Sequence, residues 1–181
     1  YPGYIRTIDG GNSWICDSIP EIPNGLISQV FAIDADTAYM AVYVLTSSNS
    51  KGIYKTTDGG NTWTNQYNLN SDNIYDLNVI DTSNLFYLTT TNRLYRSADG
   101  GNRWNLQAVF FGATAQAISF ISVTEGWVCI GNTIQHSVDG GISWNNQYTN
   151  LGNNFMAIKM ANNGNGIAAT EMGSILTTND Y

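Results

Sequence analysis

Four aspartates are placed where a catalytic pair of carboxylates could form, on or directly after apolar runs that favour inner β-strands. Hydrolysis of a glycosidic bond needs two carboxyl groups that face each other across a cleft, about 5–9.5 Å apart. The candidates are Asp34, Asp36, Asp76 and Asp81. Asp34, Asp36 and Asp81 stand in short polar segments where a turn between two strands is expected and Asp is common. Only Asp76 lies inside a strand pattern, and we expect it to be a hydrogen-bonded carboxylate at a strand end.

The arginines suggest a second chemistry, the binding of a carboxylated sugar. Such a site needs several guanidinium groups that converge on one carboxylate, together with a Tyr and Glu pair as the nucleophile. The sequence contains only Arg6, Arg93, Arg96 and Arg103. Three of these four lie within or beside a repeated motif, which accounts for them without a catalytic site.

The motif Ser/Thr-x-Asp-Gly-Gly-x-x-Trp occurs four times and organises the chain. Its copies occupy residues 7–14, 56–63, 97–104 and 137–144, and a fifth copy begins at 178–180. Successive copies are roughly 40 to 50 residues apart, which is the length of one four-stranded blade of a β-propeller. We assign a structural role to the motif residues Asp9, Gly11, Trp14, Asp58, Gly60, Trp63, Asp99, Gly101, Trp104, Asp139, Gly141 and Trp144.

Each copy of the motif has the chemistry of a β-hairpin turn. The carboxylate and the hydroxyl two residues before it can hydrogen-bond the turn backbone, and the Gly-Gly pair supplies the positive φ that a tight turn needs. The Trp should head the return strand, where burial of an indole contributes on the order of 4–6 kcal/mol before the costs of folding. One motif therefore shapes one hairpin and provides its anchor.

A column of basic side chains accompanies the motif. Residues three positions before the motif aspartate are Arg6, Lys55, Arg96 and His136, with Thr177 in the fifth copy. Equivalent positions in a repeat lie on equivalent strands, so these side chains should form one column on the third strand of successive blades. The column is either a solvated blade edge or a stripe that contacts an anion or a partner.

The motif resembles the Asp-box, or bacterial neuraminidase repeat, of sialidases, sortilin-type receptors, certain endoglucanases and photosystem II stability/assembly factor-like propellers. Residues 118–141 are similar to the blade formula of that last family, which is an apolar strand, Gly-Trp, a strand ending in Gly, and then the box. In these families Asp-boxes lie at the blade periphery and outside the active sites. The resemblance therefore implies a fold strongly and a function weakly.

We predict an all-β chain, a β-propeller fragment of four-stranded antiparallel blades with Asp-box hairpins between strands three and four. Propellers close with typically four to eight blades. The expected divisions are a half blade at 1–19, blades at 20–68, 69–109 and 110–149, and an incomplete blade at 150–181. The remaining blades of a longer parent chain are expected to complete the ring.

The end of each blade opposite the boxes is the expected binding face. It should carry the loops between blades and the turns joining strands two and three, at residues 47–51, 68–73, 110–112 and 149–154. Binding candidates there are Lys51, Phe110, Phe111 and Glu171. Adjacent strand residues point to opposite faces, so either one of Phe110 and Phe111 is exposed or the pair packs at the base of its loop.

Composition excludes several classes of partner. The formal net charge is −7, and seven Lys and Arg in 181 residues form no basic cluster, so we expect no nucleic-acid partner. No apolar run approaches the 18 residues that a membrane span needs, so we expect no membrane insertion. Cys16 and Cys129 fall on strands of distant blades, where we expect free thiols, no metal site and no cofactor.

These observations favour a non-catalytic propeller that binds a protein or glycan partner through the loop face. The alternative is a glycoside hydrolase of sialidase or endoglucanase type with catalytic residues partly on other blades. Richness in Asn, Ser and Thr with few charges suggests an extracytoplasmic protein, either secreted, periplasmic or at the cell surface. The chain contains no Asn-x-Ser/Thr sequon, which disfavours eukaryotic glycosylated secretion.

Overall fold

The computed structural model describes residues 3–20, 22, 25–43, 51–69 and 72–180, in which every regular element is a β-strand. The strands form five antiparallel sheets in two compact units, Tyr1–Asn73 and Ile74–Tyr181. Within the described ranges, no helix has the length and apolar character needed to cross a membrane. Predictions for residues 21, 23, 24, 44–50, 70 and 71, in the expected loops, lie outside the described residues.

The first unit contains a two-stranded and a four-stranded sheet. Its strands are β1 (Gly3–Arg6), β2 (Ile15–Ser18), β3 (Leu26–Ala32), β4 (Ala38–Tyr43), β5 (Gly52–Thr56) and β6 (Thr64–Asn68). β1 pairs with β2, and β3 to β6 form a meander in chain order. The apolar cluster of this unit contains Ile19, Met40, Tyr54 and Trp63.

The second unit contains two four-stranded sheets and one three-stranded sheet, each a meander in chain order. The first sheet comprises β7 (Ile74–Val79), β8 (Leu85–Thr89), β9 (Arg93–Ser97) and β10 (Asn105–Val109). The second comprises β11 (Ala115–Phe120), β12 (Gly126–Ile130), β13 (Thr133–Ser137) and β14 (Asn145–Thr149). The third comprises β15 (Phe155–Met160), β16 (Gly166–Thr170) and β17 (Ile175–Thr178).

Burial follows the position of a strand within its blade. The second strands β8 and β12 are buried along their whole length, because they carry nearly continuous apolar sequences and are covered on both faces. The fourth strand β14, with the sequence Asn-Asn-Gln-Tyr-Thr, is exposed along its whole length. This gradient from a buried second strand to a polar fourth strand is that of a propeller blade.

The first strands of the second unit are joined by polar side chains as well as by apolar packing. Asp76 Oδ2 accepts the backbone N–H of Ile118 at 2.8 Å, and Asn78 Oδ1 accepts that of Phe120 at 2.9 Å. Ser119 Oγ accepts the N–H of Met160 at 2.9 Å in the next sheet. Buried N–H groups must be hydrogen-bonded, so these side chains align successive first strands.

The predicted all-β class and blade architecture are confirmed. Three of the four complete boxes lie between the third and fourth strands of a four-stranded sheet, as expected, and the first box joins the two strands of the two-stranded sheet. One local detail differs. The box tryptophan immediately precedes the strand that follows the box instead of heading it. Each of these strands begins one residue after its tryptophan: β2 after Trp14, β6 after Trp63, β10 after Trp104 and β14 after Trp144. The Asp carboxylate accepts the backbone N–H of the residue before Trp, so that residue still belongs to the turn and strand pairing begins after it.

Candidate functional site

The fourth Asp-box shows how the motif satisfies its own hydrogen bonds. Ser137 donates its hydroxyl to Asp139 Oδ1 at 2.9 Å and accepts the N–H of Gly141 at 2.9 Å. Asp139 then accepts the N–H of Ser143 at 2.9 Å and its hydroxyl at 2.5 Å. Gly140 and Gly141 have φ of 77° and 85°, values that side chains rarely adopt. All these bonds lie within seven residues of sequence.

The other boxes repeat this pattern. Asp9 accepts the N–H and hydroxyl of Ser13, and Asp58 accepts those of Thr62. These hydroxyl and amide bonds stabilise the ionised carboxylate, and they lower the pKa of Asp9, Asp58 and Asp139 to about 2. A carboxylate held in this form is a hydrogen-bond acceptor and is unsuited to general-acid catalysis.

The third box lacks one bond. Arg103 occupies the position that carries a hydroxyl in the other boxes, so Asp99 accepts only the backbone N–H there, at 2.9 Å. The pKa of Asp99 is lowered mainly by that amide, with a contribution from the hydroxyl of Ser97. The box survives this loss because the backbone bonds remain.

The box turns also bond to the turns that join strands one and two. Gly59 N–H donates to Asp36 O, Gly100 N–H to Ser83 O and Gly140 N–H to Thr124 O, at 2.8–2.9 Å. Both sets of turns therefore share one end of each blade, which we call the box end. Its polar groups are largely occupied with one another.

The box tryptophans differ in their surroundings. Trp63 is 6% exposed and meets the ring of Tyr4 edge-on at 5.9 Å. Trp144 packs edge-on against Phe110 and Phe120, at 5.7 and 6.0 Å. Trp14, in the first box, is 58% exposed. A common motif thus fixes where the indole is placed, and the preceding sheet fixes whether it is buried.

The four basic residues of the column lie half-buried against protein groups. Arg6 bonds Asp17 at 3.0 Å and donates to the carbonyl of Gly59 and the side chain of Asn61, both at 2.8 Å. Since Gly59 and Asn61 belong to the second box, Arg6 links the two sheets of the first unit. These contacts occupy the guanidinium of Arg6 with groups of the same unit.

The other three residues of the column, Lys55, Arg96 and His136, lie against aromatic rings on the second strand of their sheets. Lys55 Nζ lies 5.2 Å from the ring of Tyr39, and the Arg96 guanidinium lies 5.6 Å from that of Phe86. His136 is parallel to Trp127 at 4.4 Å, and its Nε2 lies 3.2 Å from Glu125. Each pair is directly opposite across two strands. An alignment of the repeats shows an aromatic residue on the second strand opposite each of these basic residues, so the sequence alone could have identified the pairs.

Three of the four carboxylates considered for catalysis, those of Asp34, Asp76 and Asp81, have structural partners. Asp34 accepts the N–H groups of Asp36 and Thr37, which lower its pKa, and Asp81 accepts those of Ser83 and Asn84, with the same effect. Asp76 aligns two first strands, as described above. Within the described ranges, no three His, Cys, Asp or Glu side chains are grouped to hold a metal ion. Cys16 and Cys129 are free thiols, and burial raises the pKa of Cys129 to about 12.

The opposite end of the second unit, which we call the loop end, consists of connected loops with exposed apolar tips. Loop contacts run from Asn92 to Ala113, from Gly131 to Thr114, from Asn132 to Asn150 and from Glu171 to Asn154. Along this end lie Phe111, Leu151 and Met172, which are 86%, 96% and 74% exposed.

The binding candidates named from the sequence differ in their exposure and contacts. Phe110 is buried at 8% and packs on Trp144, whereas Phe111 is exposed. Glu171 accepts the N–H of Asn154 at 3.2 Å, and Lys51 is half-buried in the first unit. The sequence analysis placed Leu151 within the expected loop 149–154 without naming it as a candidate, and it missed Met172. Leu151 occupies the same place after Trp144 as Phe111 after Trp104, so repeat alignment would have found it.

Comparison with known proteins agrees with this architecture. A sequence model of the photosynthesis system II assembly factor YCF48 family matches residues 65–181. Comparison with curated proteins finds no match.

Solved structures similar to this chain include YCF48 from Cyanidioschyzon merolae, 17% identical, with a TM-score of 0.59 over 99% of this chain and 77% of that one. YCF48 bound to a D1 peptide is 18% identical, with a TM-score of 0.54 over 99% and 73%. An ancestral GH74 enzyme is 17% identical, with a TM-score of 0.61 over 88% of this chain but 24% of that one. At these identities the structures show a shared fold, while the family match covers more than half of the chain. The chain belongs to the YCF48 family of photosystem II assembly factors.

Proposed function

We propose that this protein is a non-catalytic assembly scaffold that binds a polypeptide segment of a partner protein at the loop end. The observation that carries the proposal is the placement of Phe111, Leu151 and Met172 on connected loops at one end of the second unit. Large apolar side chains grouped on a surface mark interaction sites more often than scattered ones do. The YCF48 structure with a D1 peptide supports a polypeptide as the partner.

The chemistry of these residues suits an extended peptide. Aromatic residues and Met are enriched where protein interfaces are buried, and a few such residues supply most of the binding free energy. A glycan site would favour several flat aromatic faces beside polar groups. Of Phe111, Leu151 and Met172, only Phe111 is aromatic, so this surface suits a glycan less well.

The carboxylates provide no support for catalysis. A glycosidase needs one carboxyl group whose pKa is raised so that it can act as an acid. The pKa values of Asp9, Asp34, Asp58, Asp81, Asp99 and Asp139 are all lowered. Asp76 is bonded to a backbone amide. These features support a binding role, and at 17% identity the GH74 enzyme shares only a fold with this chain.

Calorimetric titration with synthetic peptides that tile D1 tests the proposal. One peptide should bind saturably, and replacing Phe111, Leu151 and Met172 together by Ser should weaken its binding at least tenfold, about 1.4 kcal/mol. Val138 and Ile142 are 65% and 67% exposed at the box end. Val138→Ser with Ile142→Ser is therefore a matched control and should bind normally. Equal losses in both variants, or no binding of any peptide, would contradict the proposal.

The proposed location is extracytoplasmic. It is supported by the composition alone, which is rich in Asn, Ser and Thr and low in charge. Fractionation of cells that express the gene from its own start codon tests it, with a cytoplasmic enzyme as the marker. Recovery with the cytoplasmic marker would contradict this location and leave the binding proposal intact.

A further inference from the structure

The four methionines of the chain differ widely in exposure. Met40 and Met160 belong to apolar clusters and are 0% and 7% exposed, whereas Met156 lies on β15 and is 44% exposed. Met172, in the turn between β16 and β17, is 74% exposed. An oxidant reacts with a thioether only where it can reach the sulfur atom. Met172 is therefore the methionine most open to oxidation.

The exposure of Met172 is a property of its turn. The same turn joins β8 to β9, where Thr91 occupies the position of Met172. In both turns the next residue, Asn92 or Gly173, has a positive φ, of 62° and 81°, and donates its N–H to the threonine carbonyl three residues before it at 3.1 Å. Thr91 is exposed although the four-stranded sheet β11 to β14 follows its own sheet in the same unit. The turn therefore directs this side chain to solvent even where another sheet follows.

The hydrogen bonds that hold this turn involve the neighbours of Met172. The N–H of Glu171 donates to Asn154 O at 3.0 Å, and Glu171 Oε1 accepts the N–H of Asn154 at 3.2 Å. The N–H of Thr170 donates to Ser174 O at 3.0 Å, and Thr170 Oγ1 accepts the N–H of Ser174 at 3.1 Å. A chemical change at the sulfur of Met172 therefore alters the surface and leaves these bonds in place.

We propose that Met172 is an oxidation site that regulates polypeptide binding at the loop end, an inference that rests on the function proposed above. The oxidant is a peroxide. A lone pair of the sulfur forms an S–O bond, the O–O bond of hydrogen peroxide breaks, and the other oxygen leaves as water after proton transfer. The sulfur loses two electrons and the peroxide gains them. The product is a sulfoxide, a polar group in place of an apolar thioether.

Oxidation changes the loop end at one place and can be reversed. The other exposed apolar side chains of this surface, Phe111 and Leu151, are a hydrocarbon ring and an alkyl group, which peroxide leaves unchanged. Methionine sulfoxide reductases restore the thioether with electrons from a dithiol, which becomes a disulfide while the oxygen leaves as water. Peptide binding therefore weakens on oxidation of Met172 and recovers on reduction. A bound peptide that covers Met172 protects it from the oxidant.

Peptide mapping by mass spectrometry tests the site without a partner. Cys16 is an exposed thiol that would consume peroxide, so the intact protein carries Cys16→Ser. With limiting hydrogen peroxide, Met172 should be oxidised first and Met156 more slowly. Met40 and Met160 should stay unmodified while the protein remains folded, because both are buried. Oxidation of Met156 as fast as Met172 would overturn the inference.

Two further measurements follow the consequence of oxidation. Hydrophobic-interaction chromatography needs no partner, and the oxidised protein should elute earlier than the untreated one and return to its position after treatment with methionine sulfoxide reductase. Calorimetric titration with the D1 peptide that binds the untreated protein should show about fivefold weaker binding after oxidation. Both effects should persist in Met156→Leu and be absent in Met172→Leu, which keeps an apolar side chain but has no sulfur.

The outcomes separate this inference from the proposed function. If the untreated protein binds a D1 peptide and the oxidised protein binds it equally well, the regulatory role of Met172 is overturned and the proposed function stands. An equal response of Met156→Leu and Met172→Leu to peroxide would overturn it as well. If the untreated protein binds no D1 peptide, the proposed function fails and the regulatory role fails with it.

Discussion

The box end and the loop end of the second unit are built from the same strands but have opposite surface chemistry. At the box end, Asp139 and Ser137 accept or donate to their own turn, and Gly140 bonds the neighbouring turn. At the loop end, backbone contacts join the loops while the side chains of Phe111 and Leu151 extend into solvent. The repeated sequence stabilises the blade, and the variable sequence leaves large apolar side chains exposed.

This difference explains why a repeated motif is a poor guide to a binding site. A polar group that is already hydrogen-bonded gains little by exchanging that bond for one to a ligand. Exposed apolar side chains, by contrast, gain free energy when a partner covers them, about 25 cal/mol per Å² of apolar surface. Substitutions at the box end should therefore change stability, and substitutions at the loop end should change binding.

The largest effect is expected at a buried box tryptophan. Trp63→Ala should lower the free energy of unfolding by about 3–5 kcal/mol, because it leaves a cavity in the cluster around Tyr54. Trp14→Ala removes the same motif residue at a site that is 58% exposed and should cost far less. Denaturant unfolding of both variants measures the difference. Equal costs would show that the motif, and not its surroundings, determines the contribution.

A methyl group should be tolerated differently at the two ends. A Cβ at Gly126, at the box end, would lie 2.3 Å from the ring of Phe120, which stacks on Phe86 at 3.7 Å and cannot move aside. Gly126→Ala should therefore cost about 1–3 kcal/mol of stability through overpacking. At Gly152, at the loop end, the nearest atom would be 3.9 Å away. Gly152→Ala should unfold at the wild-type denaturant concentration, and a comparable loss there would contradict this contrast.

Acid should destabilise the box end. The pKa values of Asp9, Asp58 and Asp139 are near 2 in the folded chain, below the ordinary value of 3.8. Their contribution to stability is therefore complete above about pH 4 and is lost as the pH falls towards 2. Asp139→Asn should unfold at lower temperature at pH 7 and lose less stability between pH 4 and 2 than the wild type. Parallel melting curves across that window would contradict this assignment.

The smallest effect is expected in the third box, where Arg103 replaces the hydroxyl residue. Arg103→Ser should restore the missing bond to Asp99, as Ser143 does for Asp139, and raise the melting temperature slightly. Ser143→Ala should lower it by a similar amount. Differential scanning calorimetry of the two variants tests the symmetry. A fall in both would show that the Arg103 side chain has a stabilising role of its own.

Much of the fold could be predicted from the sequence because the signals are local and repeated. The bounds of β15 and β16, Phe155–Met160 and Gly166–Thr170, agree with the apolar runs between turn residues. The boxes could be placed because the Ser or Thr, Asp and Gly that form each turn lie within five residues of one another. The binding candidates were less accessible to sequence reasoning, since Phe110 and Phe111 are neighbours with the same side chain and opposite burial.

The sequence by itself determined the hairpins, their spacing and the acceptor role of each box aspartate, because the hydrogen bonds of a box join residues of the same hairpin turn. Tertiary structure decided the rest. Trp63 is buried and Trp14 is exposed, although the motif around them is the same. Arg6 donates a hydrogen bond to Gly59 of the second box, which lies 53 residues further along the chain. Such contacts depend on how one sheet lies against the next, and that register is set by the packing of side chains across the two sheets, which no local sequence pattern specifies.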